Sequence, residues 1–123
     1  MDNLYSKELL HYYQNPQYKG GLDAMKFKSN DTNFSCGDSI TLGFNIEGQK
    51  LTACRFEGDG CIVAMASSEI LCENLIGKDI TELKKLTDED FLNLLGFELT
   101  ISRTRCALTS FQALKKGLEE HGN

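Results

Sequence analysis

The stretch Ser39–Glu57, SITLGFNIEGQKLTACRFE, decides the fold. Its first half alternates apolar residues with small or polar ones, which indicates a half-buried strand. The apolar positions are Ile40, Leu42, Phe44 and Ile46. A tight turn at Glu47–Gln49 leads into Lys50–Glu57, where Cys54 and Phe56 share a face. The stretch therefore predicts a β-hairpin within an antiparallel sheet.

Weaker patterns precede the hairpin. The segment Leu4–Gln14 carries apolar residues at helical spacing and stops before Pro16, which predicts a short amphipathic helix. After the break at Gly20–Gly21, the weak alternation of Ala24–Lys28 predicts an edge strand. The polar run Ser29–Asn33 predicts a loop.

Helical patterns follow the hairpin. Ile62–Ile76 predicts a largely buried helix closed by Gly77. Thr87–Asp90 is typical of a helix N-cap with an acidic first turn, and that helix should run through Leu95. A last amphipathic helix is marked by Ala107, Phe111, Leu114 and Leu118. Strands followed by helices predict an α+β fold, with a small antiparallel sheet of about three strands packed against helices.

Length and composition limit the functions to consider. The 123 residues are 41% apolar and 25% charged, and we expect one globular domain over residues 1–123. A net charge of −5 without a basic run argues against a nucleic-acid partner. The longest apolar run, Cys61–Ala66, is far shorter than the roughly 20 residues of a membrane span. Met1–Glu8 lacks an apolar signal core, so we expect a cytoplasmic protein without a membrane partner.

The chain has five cysteines, and an odd number without an export signal favours metal or sulfur chemistry over a disulfide framework. Cys36 belongs to a Cys36–Asp38 triplet in which a thiol and a carboxylate lie close together. Cys61 opens the predicted buried helix, whose dipole favours a thiolate. Cys106 is expected at the start of the last helix, near Arg103 and Arg105.

Three thiolates and one carboxylate are enough donors for a tetrahedral zinc site, and thiolates also hold iron-sulfur clusters. The spacing alone leaves buried structural cysteines as an equal alternative, because no compact C-x-x-C knuckle is present. Cys54 is expected to be a packed structural thiol, and Cys72 a partly buried residue without a role. His11 is expected at the surface.

Two further side chains have alternative roles. Asp38 either ligates metal or only orders its loop. Arg105 either faces solvent or stabilises a nearby thiolate or cysteine persulfide.

A series of ordered motifs resembles one family. They are YSK at Tyr5–Lys7, HYYQNP at His11–Pro16, CGD at Cys36–Asp38, RFEGDGC at Arg55–Cys61 and AMASS at Ala64–Ser68. Together they resemble the U-type iron-sulfur cluster assembly scaffolds, a family that includes IscU, SufU and the N-terminal domain of NifU. The resemblance extends from about Leu4 to Leu118.

The resemblance implies a site and an activity. It implies that Cys36, Asp38, Cys61 and Cys106 hold a transient [2Fe-2S] cluster, or zinc in the isolated protein. It also implies that the protein is a scaffold and not an enzyme. This scaffold would accept sulfur from a cysteine desulfurase, with Cys106 as the acceptor. Apo iron-sulfur proteins would receive the finished cluster. A zinc-dependent sulfur-transfer protein and an inert zinc-stabilised interaction module are the alternatives.

The chain departs from IscU-type members near its third ligand cysteine. Those members have a histidine before that cysteine and a Leu-Pro-Pro-Val-Lys segment recognised by a heat-shock-type chaperone. This chain has Arg105 and Leu99–Arg103 instead, which argues against that chaperone as a partner. The ending Arg103–Ala107 is similar to SufU, but the interval from Cys61 to Cys106 is too short for the SufU insertion.

Overall fold

The computed structural model describes residues 7–33 and 37–121. In chain order the strands are β1 (Phe27–Asn33), β2 (Asp38–Glu47) and β3 (Lys50–Asp59), and the helices are α1 (Lys7–Gln14), α2 (Ile62–Leu75), α3 (Ile80–Lys85), α4 (Asp88–Leu95) and α5 (Ile101–His121). A short 3-10 helix spans Leu22–Ala24. The described segments therefore show the predicted α+β architecture, with α3 as a helix that the sequence analysis missed.

The three strands form an antiparallel sheet in the order β1-β2-β3, which confirms the predicted hairpin. In the central strand, Leu42 pairs with Phe56 of β3 and with Ser29 of β1. The register shifts between Asn45 and Ile46, where β3 contributes one extra residue. This pairing directs the apolar side chains of β2 towards the helices.

The prediction of a loop at Ser29–Asn33 is wrong, because these residues belong to β1. Their polar side chains find partners that strand pairing permits. The Ser29 hydroxyl is buried and donates to the Ala113 carbonyl of α5 at 2.6 Å. Lys116, also on α5, forms an ion pair with Asp31 at 2.6 Å. Contacts with α5 thus stabilise an edge strand without an apolar pattern.

The core lies between the sheet and the two long helices, α2 and α5. Helix α2 is buried on all sides between residues 63 and 72, with α1 on its outer face. Helix α5 approaches the sheet at Gly117, where a Cβ atom would lie 2.6 Å from the Phe44 ring. Cys54 packs in this core as predicted, whereas Cys72 is fully buried rather than partly exposed.

Backbone hydrogen bonds also cover the outer edge of β3. Phe56 donates to the Tyr18 carbonyl at 3.0 Å and accepts from the Gly20 amide at 2.7 Å. The segment after α1 is held in turn by the buried Glu69 carboxylate, which accepts from the amides of Gln17 and Tyr18. Helix α2 is thus tied to both the N-terminal segment and the sheet.

The starts of α4 and α5 can be compared with the sequence predictions. Helix α4 begins with a capping box between Thr87 and Asp90, as its sequence indicates. Hydrogen bonds from Thr87 hold the pKa of the Asp90 carboxyl below its usual value. Helix α5 begins at Ile101, so Cys106 lies in its second turn and not at its start. Among residues 7–33 and 37–121, no helix is long and apolar enough to cross a bilayer.

Candidate metal centre

Three potential ligands meet at the start of one strand, the start of one helix and the second turn of another helix. Asp38 is the first residue of β2, Cys61 precedes the first residue of α2, and Cys106 lies on α5. One carboxylate oxygen and the two Sγ atoms all lie within 4.8 Å of one another. Cys36, the remaining residue of the predicted set, lies outside the described residues.

The Asp38 carboxylate is oriented by the start of α2. It is 1% exposed, and its Oδ1 atom accepts a hydrogen bond from the Cys61 backbone amide at 3.0 Å. Its Oδ2 atom is buried without a hydrogen-bond partner in the part of the chain that the structure describes. A buried carboxylate oxygen is costly unless it is paired or binds a cation. The donor set therefore fits a metal ion.

Cys61 supplies the half-buried thiol of the centre. It is the N-cap residue of α2, with extended backbone angles of φ −70° and ψ 172°. Its side chain makes no capping hydrogen bond to the helix. The thiol is therefore available as a ligand at the N-terminal end of α2.

Glycines give the centre its compact shape. Gly58 has a φ of +147°, and a Cβ atom there would lie 2.0 Å from the Ser39 carbonyl oxygen. At Gly60 a Cβ atom would lie 3.2 Å from Asp38 Oδ1 and 3.0 Å from the Ala64 Cβ. The missing side chain at position 60 thus leaves the space in which the carboxylate reaches the Cys61 amide. The sequence analysis missed this role, although the two glycines in the Gly58–Cys61 segment were a signal of close backbone approach.

Cys106 is the most deeply placed of the three ligands. Its side chain is 0% exposed, and its Sγ lies 3.6 Å from the Ser102 carbonyl oxygen one turn earlier. Because α5 begins five residues before Cys106, the unpaired amides of the helix start do not surround this thiol. Packing of α5 against α2 and the sheet brings Cys106 to the centre.

The neighbouring Arg105 is exposed. It lines a surface pocket of about 230 Å³ between the end of β1 and α5, together with Thr32, Leu108 and Gln112. The other residues singled out in the sequence lie elsewhere. His11 is exposed on α1, and Cys54 and Cys72 are in the core.

Two thiols and a carboxylate suit a borderline metal. Thiolates favour zinc and iron in sulfur-rich sites, while a carboxylate is the harder and more readily exchanged ligand. The three residues belong to three separate elements, so metal binding here would join β2, α2 and α5.

Comparisons with known proteins identify relatives of the whole chain. The family model described as "NifU-like N terminal domain" matches residues 4–123. The zinc-dependent sulfurtransferase SufU of Bacillus subtilis is 32% identical over 143 residues, covering 100% of this chain and 96% of the relative. An alignment of 143 residues against a chain of 123 leaves at least 20 positions of SufU without a counterpart. The iron-sulfur cluster assembly scaffold protein IscU of Thermotoga maritima is 34% identical over 86 residues, covering 70% of this chain and 61% of the relative.

Solved structures share the fold. The crystal structure of FiSufU from Fervidobacterium islandicum has a TM-score of 0.76 and 27% identity, covering 94% of this chain and 96% of that one. A NifU-like N-terminal structure from Brucella abortus has the same TM-score of 0.76 at 18% identity, covering 95% and 93% of the two chains. The match over nearly the whole length and the shared architecture lead to one conclusion: the chain belongs to the family of NifU-like N-terminal domains.

Proposed function

We propose that this protein is an iron-sulfur cluster assembly scaffold that accepts sulfur from a cysteine desulfurase and builds a transient [2Fe-2S] cluster for apo-proteins. One observation carries the proposal: Asp38, Cys61 and Cys106 place their ligand atoms within 4.8 Å of one another. Two comparisons support the proposal. A relative is named as an iron-sulfur cluster assembly scaffold protein, and the family model matches residues 4–123, which include every described residue.

Cys36 is the proposed fourth ligand. It stands two residues before Asp38, and Asp38 opens β2 at the centre. A ligand set of three thiolates and one carboxylate would close a four-coordinate site. It would also leave one harder oxygen ligand that exchanges more readily than the sulfurs. That difference in ligand lability suits a protein that releases its cluster.

Cys106 is the proposed sulfur acceptor. Its thiolate would attack the outer sulfur of the desulfurase persulfide, giving a Cys106 persulfide and releasing the desulfurase thiol. Because Cys106 is fully buried and Cys61 is half-buried, the centre must open before the Cys106 thiolate can reach the persulfide of a partner. We expect thiol reagents to modify Cys61 before Cys106 in the metal-free protein, as peptide mapping would show.

A zinc-dependent sulfur-transfer protein is the second candidate. It is favoured by the 32% identity to SufU across the whole chain and by the SufU-like ending Arg103–Ala107. Bound zinc would hold the thiolates deprotonated at neutral pH. The exposed Arg105 beside Cys106 would then offer a fixed positive charge to a thiolate or persulfide released from the site.

One mixture separates the candidates. The purified protein is combined anaerobically with a cysteine desulfurase, cysteine and ferrous iron, while cluster absorbance and bound zinc are followed together. A scaffold develops cluster absorbance and loses zinc. A zinc-dependent transfer protein accelerates desulfurase turnover while it keeps its zinc. An inert zinc module does neither, and that outcome would overturn both candidates.

The matched control is Cys54→Ser, which alters a buried thiol outside the centre. It should behave as the wild type, whereas Cys61→Ser and Cys106→Ser should each lose cluster formation. Equal loss in all three variants would show that the effect is on folding and not on metal ligation.

A further inference from the structure

The connection between α1 and the short 3-10 helix runs over the outside of the fold between two buried anchors. Leu9 of α1 is 1% exposed, and Leu22 of the 3-10 helix is 8% exposed. Every residue from 15 to 21, a segment that we call the strap, has an exposed or half-buried side chain. Of these, Tyr18 packs partly against the core. Apolar burial therefore fixes the two ends of the connection and contributes little to the strap itself.

Hydrogen bonds hold the strap in place from two sides. The Glu69 carboxylate of α2 accepts from the backbone amides of Gln17 and Tyr18, the latter at 3.1 Å. On the outer edge of β3, the Phe56 amide donates to the Tyr18 carbonyl at 3.0 Å, and the Phe56 carbonyl accepts from the Gly20 amide at 2.7 Å. Residues 18–20 thus lie along β3 like a short added strand.

Glu69 is a charged residue in an unfavourable position. Its side chain is 1% exposed, and it makes no ion pair with any residue in 7–33 or 37–121. Its partners in the strap are neutral backbone amides. Burial of a charge is costly, and opening of the strap would return this carboxylate to water. Hydration of Glu69 would therefore offset part of the hydrogen bonding that is lost when the strap opens.

The downstream end of the strap has the backbone freedom that such an opening requires. Gly20 and Gly21 have φ angles of +87° and +75°, a region in which glycine moves without the strain of a side chain. The next residue is the buried anchor Leu22. The chain can therefore swing at the two glycines while the 3-10 helix stays packed.

We propose that the strap opens as one unit while the sheet and α2 remain folded, and that Glu69 is the residue that holds it closed. The Phe56 side chain, 1% exposed, would stay in the core, but its amide and carbonyl on the β3 edge would meet solvent. An uncovered strand edge can pair with another strand, so the closed strap protects β3 from such pairing. This inference does not depend on the proposed function, because no strap residue belongs to the metal centre.

Native-state hydrogen exchange of the full metal-free chain, followed by NMR, tests the opening. Four amides have hydrogen bonds that join the strap to Glu69 or to β3, and they should share one protection factor: those of Gln17, Tyr18, Gly20 and Phe56. The reference is the Leu51 amide on the same strand, which donates to the Lys78 carbonyl at 3.0 Å and lies outside the strap. We expect the shared factor to be at least about tenfold below that of Leu51. Unequal factors among the four, or a Phe56 amide protected as strongly as that of Leu51, would overturn the proposal.

The variant Glu69→Ala tests the residue that holds the strap. The Gly20 and Phe56 amides do not bond to Glu69, so only a shared opening can transmit its loss to them. Their protection should fall by about tenfold, because hydrogen bonds to a charged acceptor are the stronger ones, while Leu51 is unaffected. Glu57→Gln is the matched control, since it removes an exposed carboxylate next to Phe56, and it should change none of these amides.

Unchanged protection of Gly20 and Phe56 in Glu69→Ala, or an equal loss at Leu51, would refute the role of Glu69. The exchange pattern of the wild-type chain decides whether the strap opens as a unit even if this variant does not fold.

Discussion

Removing the Asp38 carboxylate should separate its structural role from its role towards the metal. In the metal-free protein Asp38→Ala deletes the acceptor of the Cys61 amide, a hydrogen bond of 3.0 Å to a carboxylate that is 1% exposed. Such a bond contributes about 1.5–3 kcal/mol. Relief from burying an unpaired Oδ2 offsets part of this loss. We expect a net destabilisation of about 1 kcal/mol, which lowers Tm by about 4 °C for a chain of 123 residues.

The same substitution should make the bound cluster harder to release, although it makes the metal-free protein less stable. If Asp38 provides the readily exchanged bond, its replacement leaves the thiolates and an open position that solvent or an added thiol can fill. Assembly then proceeds, while passage of the cluster to an acceptor slows. We expect transfer to be slower by about tenfold or more, equivalent to a barrier higher by about 1.4 kcal/mol.

Asp38→Asn is the matched variant. Its amide oxygen can still accept from the Cys61 amide, so the metal-free Tm should stay near that of the wild type, while the anionic ligand is lost. Both variants are reconstituted anaerobically, and cluster passage to an apo-ferredoxin is timed by absorbance and circular dichroism. Transfer as fast as from the wild type in both variants would refute the role of Asp38 as the exchangeable ligand. A less stable fold with poor retention of any metal would indicate that Asp38 only orders its loop.

Three further substitutions test the surroundings of the centre. Cys54→Ala should leave metal binding and sulfur acceptance intact and cost about 1 kcal/mol or less in chemical denaturation, because it creates only a small cavity; loss of metal would show that the wrong thiols were assigned. Gly60→Ala places a Cβ atom 3.2 Å from Asp38 Oδ1, so it should weaken zinc binding in a chelator competition and alter the absorption spectrum of the Co²⁺-substituted protein. An unchanged zinc affinity and spectrum would contradict the role of that glycine. Gly117→Ala gains about 1 kcal/mol of helix propensity, but the new Cβ atom would lie 2.6 Å from the Phe44 ring, and such overpacking costs about 1–3 kcal/mol. The free energy of unfolding should therefore fall, and a stabilised variant would show that α5 shifts easily.

Much of the fold could be read from local patterns. The alternation of Ser39–Glu57 determined the β2–β3 hairpin, because period-2 burial is a local property of a strand with one face in the core. The Thr87 cap likewise marked the start of α4, since a cap is a contact between residues three apart. The cysteines and Asp38 were recognisable as candidate ligands from their residue types and motifs alone.

Other features depended on contacts between residues far apart in the chain. Ser29–Asn33 is a strand because α5 supplies partners to its polar side chains, more than 80 residues later in the sequence. Cys72 is buried because α1, α5 and β3 pack around α2, which the polar Glu73 and Asn74 beside it in the sequence do not indicate.

The sequence by itself determined the hairpin, most of the helices and the family to which the chain belongs, since these follow from short-range periodicity and ordered motifs. Only the tertiary structure decided which donor atoms lie together. Cys106 reaches Asp38 and Cys61 because α5 packs against α2 and the sheet, and it does so from its second turn rather than its first. Burial of apolar surface sets that packing, and no spacing between cysteines encodes it.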